Sequence, residues 1–254
     1  MTRPDVVVHA SGELLAAAAA ARLITALVDA QAARGVASVV LTGGRTGIGV
    51  LEQVRRSPAL DAVDWSAVDV YWGDERFLPD GDPERNETQA RQALLDHVPV
   101  DPDRVHPMAP SDGRFGADAE AAAAHYAEVL ATTADRATDI AVPHFDVLLL
   151  GVGEEGHTAS LFPDTPHVRE TGRTVVGVRD CPKPPPTRIS LTLPAIQAAS
   201  EVWLMTTGAA KAEPVAAALG GAKPEDIPAA GARGRNRTLW LLDRTAASRV
   251  PTGG

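Results

Sequence analysis

A single cysteine, Cys181, stands in a chain of 254 residues. It excludes an intramolecular disulfide and a cysteine-built structural zinc site, and it agrees with a reducing compartment. No apolar run approaches the roughly 18 to 20 residues a membrane helix needs, and residues 1–9 lack the basic start and apolar centre of a secretory leader. Basic residues are also in deficit. With 24 Lys and Arg against 33 Asp and Glu, the formal net charge is −9, which argues against nucleic acid or an anionic membrane surface as a partner. The seven histidines show no H-E-x-x-H or comparable spacing, so no metal is expected. A cytoplasmic location is the expectation. What is present, 44% hydrophobic and 22% charged residues, describes a globular protein of one large domain or two small ones.

Short β-branched runs alternate with longer alanine-rich stretches, the pattern of βαβ units around a largely parallel sheet with helices on both faces. Strands are expected at 36–41 (VASVVL), 68–72 (VDVYW), 145–150 (FDVLLL), 174–178 (TVVGV), 188–192 (RISLT), 202–206 (VWLMT) and 238–242 (TLWLL). Continuous apolar runs such as 147–150 suggest strands covered on both faces. A helix is expected between Ser11 as N-cap and Gly35 past its end, with Leu23, Ile24, Leu27 and Val28 on one face. Further helices are expected at 48–56, 118–132, 194–199 and 209–219, and one opened by Asn86, where Gln89 three residues on resembles a capping box. The turn-rich stretches 79–85, 98–116 and 181–186 are embedded between elements and read as loops of one domain, residues 1–247, with 248–254 expected to fray.

Three strand ends carry chemistry. Residues 41–47 (LTGGRTG) follow one strand and precede a helix. Gly43 and Gly44 allow close backbone approach, free N–H groups at a helix start favour an anion, and Thr42 and Thr46 add hydroxyls. A phosphate fits; so does a tight turn with no ligand, since neither G-x-x-x-x-G-K-[ST] nor G-x-G-x-x-G is matched. Residues 71–76 (YWGDER) place Asp74, Glu75 and Arg76 directly off a buried strand, where ligands of parallel sheets bind. A solvated charged loop is the alternative. Residues 150–163 (LGVGEEGHTASLFP) set His157 in a glycine-tight turn, with Glu155 two residues before it. Histidine suits proton transfer at neutral pH, and a structural histidine within the turn is the plainer option. Ser160 is not in a G-x-S-x-G elbow, which argues against a nucleophile there.

Two cations stand out later. Arg188 opens a strand after the proline loop at 184–186, and Lys211 opens a helix, where a positive charge opposes the dipole and asks for an anion. Both could equally be surface cations. Arg233, Arg235 and Arg237 form a denser basic cluster without a glycine loop and read as a solvated turn.

TGGRTG, WGDERF, GVGEEGHTASLFP, PPPTRISLT and TGAAKA, in this order and at these separations, resemble the 6-phosphogluconolactonase family over about residues 36–242. The resemblance implies hydrolysis of a sugar-phosphate lactone, 6-phospho-D-glucono-1,5-lactone, without a cofactor. It also implies a single α/β domain of the deaminase/lactonase type, a monomer or small homo-oligomer. Mapped onto this chain, Thr42, Gly43, Gly44 and Thr46 with Arg188 and Lys211 would hold the substrate phosphate. His157 would be the catalytic histidine, with Asp74 and Arg76 at the lactone end. The family usually has aspartate where this chain has Glu155. The related deaminases continue after the histidine with Ala-Phe-Asn-Glu-Pro, whereas residues 158–163 here are TASLFP. A non-catalytic sugar-phosphate sensor is the rival from another class.

Overall fold

The computed structural model describes residues 3–135 and 139–251. Six strands form one parallel sheet: β1 (Asp5–His9), β2 (Ala37–Leu41), β3 (Val68–Trp72), β5 (Val147–Gly151), β8 (Glu201–Thr206) and β9 (Arg237–Asp243). Their order across the sheet is β1-β9-β8-β5-β2-β3. Successive strands run outward from β2 to β3 in one direction and from β5 through β8 to β9 in the other. The switch point therefore lies between β2 and β5, and ligands of open parallel sheets bind at the carboxyl edge of such a point. Every residue of β2 is buried, as are the first four of β5, which is the continuous apolar pattern of strands covered on both faces.

A second, antiparallel sheet has the order β4-β7-β6, formed by β4 (Asp74–Arg76), β6 (Val175–Val178) and β7 (Arg188–Leu191). Two of the expected strands thus leave the parallel sheet. The GDER segment, expected as a charged turn, is itself an edge strand paired to β7 with Asp74 opposite Ser190 and Arg76 opposite Arg188. Strand β1 falls where no element was expected. Its valines are largely exposed at the sheet edge, so burial does not mark it as it marks the central strands.

The helices are α1 (Gly12–Arg34), α2 (Gly44–Arg55), α3 (Asn86–Ala93), α4 (Ala119–Thr132), α5 (Leu193–Gln197) and α6 (Ala212–Leu219). Local chemistry sets several ends. Ser11 accepts the Leu14 N–H, Gly35 closes α1 in the left-handed region at φ 79°, and Asp118 caps α4 through Glu120 and Ala121. Helix α1 packs against α2, and α4 covers β6 and β7.

Other boundaries depended on distant partners. Strand β5 starts at Val147 and not at Phe145, because at the foot of β2 the Asp146 N–H goes to the Ser38 hydroxyl and the Ser38 N–H to the Asp146 carboxylate, and neither joins the ladder. Asn86 is not the cap of α3. Arg85 holds that position, and the Gln89 amide donates to the Pro83 carbonyl. Of the stretch 248–254 expected to fray, 252–254 lie outside the described residues, and Ser248 donates to the Thr245 carbonyl. Among the described residues no helix is long and apolar enough to cross a membrane.

Candidate active site

A cleft of about 960 Å³ opens at the carboxyl edge of the parallel sheet, over the β2/β5 switch point. Thr42, Gly43, Gly44, Thr46, Asp74, Arg76, His157, Arg188 and Lys211 all line it. Glu155 does not, and stands behind it beside His157. The three arginines at 233, 235 and 237 lie elsewhere, Arg235 against Asp135 and Arg237 against Asp5.

One end of the cleft is built by the loop after β2. Helix α2 starts four residues earlier than expected, at Gly44, and no side chain caps it. Its first N–H groups therefore face the cleft without an internal acceptor, the arrangement that favours an anion. Gly43 is glycine for a packing reason. A Cβ there would sit 1.8 Å from Oδ1 of Asn86. Asn86 in turn donates to the Asp74 carbonyl at 2.8 Å, so the glycine loop and the GDER strand are fitted to each other through one buried amide.

The loop after β8 completes this end. The Thr46 and Thr207 hydroxyls lie 3.3 Å apart, and Gly208 donates to the Asp243 carboxylate. Lys211 follows, at the N-cap position of α6 without a capping bond. Burial and the neighbouring Lys183 lower its pKa, against the opposing pull of Glu154 and Glu155. Arg76 and Arg188 stand directly opposite each other across the β4/β7 pair and both line the cleft. Like charges in that register repel, and an anion between them offsets the repulsion. Arg188 is buried and aimed by the proline loop, donating to the carbonyls of Lys183, Pro184 and Pro185.

A buried network fixes the GDER strand from behind. Glu75, fully buried, accepts the N–H groups of Arg76, Asn86 and Glu87 at 2.7, 2.7 and 2.9 Å, and so caps α3 from another segment. Burial raises its pKa to about 7 against the pull of Arg85 and those N–H groups. Arg85, also fully buried, bridges Glu87 at 3.0 Å and the carbonyls of Leu78 and Met108. Asp74 is left facing the cleft, its carboxylate held by the Ser160 hydroxyl at 2.7 Å. That bond commits Ser160 to positioning Asp74, which agrees with the absence of a nucleophile elbow.

His157 lines the same cleft. Its ring stacks on the buried Phe162 with centroids 4.4 Å apart, and Gly153 leaves room for its edge, since a Cβ there would lie 1.9 Å from Nδ1. Burial lowers its pKa, partly countered by Glu155. The ring is therefore neutral at neutral pH. Nδ1 lies 3.2 Å from Oε2 of Glu155 without the alignment of a hydrogen bond. Burial pushes Glu155 up, but the Lys183 ammonium at 2.9 Å, a backbone N–H and His157 outweigh it and hold the carboxyl at about 2.

Asn86, Lys183 and Ser160 were not expected as site residues. Asn86 read as a helix cap and Lys183 as part of a proline-rich loop, and no local pattern places either beside a residue more than 25 positions away.

Architecture and cleft define the class: a doubly wound α/β protein with a polar, partly cationic site at the switch point of its sheet. A family model for glucosamine-6-phosphate isomerases/6-phosphogluconolactonase matches residues 10–240. A 6-phosphogluconolactonase of Streptomyces coelicolor is 66% identical over 248 residues, covering 98% of this chain and 95% of that one. One from Mycobacterium tuberculosis is 55% identical over 94% of this chain and 96% of its own length. The solved 6-phosphogluconolactonase of Trypanosoma brucei superposes at a TM-score of 0.85 with 28% identity, covering 99% of this chain and all of that one. A monomeric glucosamine-6-phosphate deaminase, 21% identical at a TM-score of 0.78 over 96% of this chain and 99% of its own, shares the fold. The chain belongs to the glucosamine-6-phosphate isomerase/6-phosphogluconolactonase family, on its 6-phosphogluconolactonase branch.

Proposed function

We propose that the protein hydrolyses 6-phospho-D-glucono-1,5-lactone to 6-phospho-D-gluconate, the lactone-opening step of the oxidative pentose phosphate pathway, without a cofactor. The observation that carries the proposal is one cleft that joins a neutral, carboxylate-flanked histidine to an uncapped helix start, Arg188 and Lys211. The relatives' names point the same way.

The substrate phosphate binds at the N–H groups of Gly43 and Gly44 and the hydroxyls of Thr42 and Thr46, with Arg188 and Lys211 closing over it. Its binding energy places C1 of the lactone near His157, and this positioning supplies part of the rate. With Nδ1 beside Glu155, Nε2 is the nitrogen left for water. His157 takes a proton as the water oxygen bonds to C1, and returns it to the ring oxygen as the C1–O bond breaks. Arg76 stabilises the oxyanion, and Asp74, held by Ser160 and Asn86, orients the lactone or the water.

The test is a coupled assay with freshly made lactone, corrected for spontaneous hydrolysis, run beside ammonia release from glucosamine 6-phosphate. Lactonase activity is expected, with His157→Ala lowering kcat/KM by about 100-fold or more while phosphate binding persists. Ammonia release in its place would make the chain a deaminase, and binding with neither activity would make it a sensor.

A further inference from the structure

We propose that Lys183 is a positioning residue for this reaction: it holds the Glu155 carboxylate beside His157 and ties that pair to Arg188 through its own carbonyl. The proposal rests on the function proposed above. Two groups address one oxygen. The Lys183 ammonium takes Oε2 of Glu155 at 2.9 Å, while Nδ1 of His157 lies 3.2 Å from the same atom and is left without an aligned partner. The main chain of Lys183 holds a second site residue, its carbonyl accepting Nη2 of Arg188 at 3.2 Å. One residue of the proline loop thus touches both the group that flanks the base and the arginine assigned to the phosphate.

Folding does not account for this contact. The Lys183 and Glu155 side chains are 41% and 31% exposed, and pairs so open contribute little to stability. The contact matters instead for where the carboxylate points. Released from the ammonium, Oε2 can turn onto Nδ1, hold the ring in a different plane and make it more basic.

The charges around His157 are few enough to read. Glu155 comes from its own turn, Lys183 from the proline loop and Asp74 from β4, while Arg188 lies over the Phe162 ring on which the imidazole stacks. Arg76, Lys211 and Glu154 line the same cleft. Lys183 disfavours the imidazolium and Glu155 favours it, so losing the ammonium moves both influences in one direction, toward a more basic histidine.

The experiment compares Lys183→Met and Lys183→Arg with the wild type. The His157 ring protons are followed by NMR against pH without substrate, assigned by their loss in His157→Gln, and kcat and KM are measured in parallel. Lys183→Met should move the His157 midpoint and the acid limb of kcat/KM to higher pH. It should lower kcat about 10- to 100-fold with KM within about twofold, as for a displaced catalytic group. Lys183→Arg, which keeps the charge, should restore both. An unmoved titration in Lys183→Met overturns the proposal, and so does a rise in KM alone, which would make Lys183 a direct substrate contact. Because the titration needs no substrate, a wild-type protein without lactonase activity would defeat the proposed function while leaving the Lys183–Glu155–His157 link to be decided by the midpoint.

Discussion

Replacing Gly153 by alanine should disable the site while leaving the fold in place. The built Cβ lies 1.9 Å from Nδ1 and 2.1 Å from Cε1 of His157, and 2.8 Å from Oε2 of Glu155. Contacts under 3.0 Å are not tolerated, so the imidazole must retreat by at least about 1.1 Å. The backbone offers no relief, because Gly153 is tied by its N–H to the His157 carbonyl at 2.8 Å and by its own carbonyl to the Gly156 N–H at 3.1 Å. Motion toward Phe162 is closed, since that ring is buried and already stacked on the imidazole. A misplacement of about 1 Å in a catalytic group lowers the rate roughly 100-fold, equivalent to about 2.7 kcal/mol in the barrier. Stability should fall by about 1–3 kcal/mol, the usual cost of an inserted methyl. The assay is kcat/KM on fresh lactone, set beside the urea midpoint of the same preparation. A folded Gly153→Ala protein within about threefold of wild-type kcat/KM would refute the assignment of His157 as base in its present position.

Three further outcomes are expected. Because burial lowers the His157 pKa, the acid limb of the kcat/KM profile should lie below pH 6.5, activity being lost as pH falls through that depressed value. Glu155→Gln removes the charge that favours the imidazolium and should move the limb lower still; a shift to higher pH would contradict the assigned sign. Glu75→Ala strands three N–H groups, two of them buried, and takes one of two carboxylates from the buried Arg85. It should lower unfolding stability by about 3–5 kcal/mol in urea titrations, and a loss below about 1 kcal/mol would show that the network does not hold the GDER strand.

The sequence by itself determined whatever repeats or ends locally. The apolar runs of β2, β5, β8 and β9, the Ser11 cap and the Gly35 stop are legible because each rests on a short period or on a hydrogen bond within three or four residues. The motifs at 42–46, 74–76 and 157 were legible as strand-end chemistry for the same reason, Arg188 and Lys211 stood out as cations opening a strand and a helix, and the resemblance to a family joined them. Tertiary structure decided what those pieces do to one another. That GDER is a strand and not a turn depends on β7, more than 110 residues later. That Asn86 pairs with Asp74 and not with its own helix, that Gly43 must lack a side chain, and that Lys183 reaches Glu155 are all contacts between segments with no shared local pattern. The net charge of −9 says nothing about the cleft. Only the pairing of β4 with β7, set beside the carboxyl edge of the parallel sheet, gathers Arg76, Arg188 and Lys211 into one cleft, because sheets assemble residues by strand order in space and not by their distance along the chain.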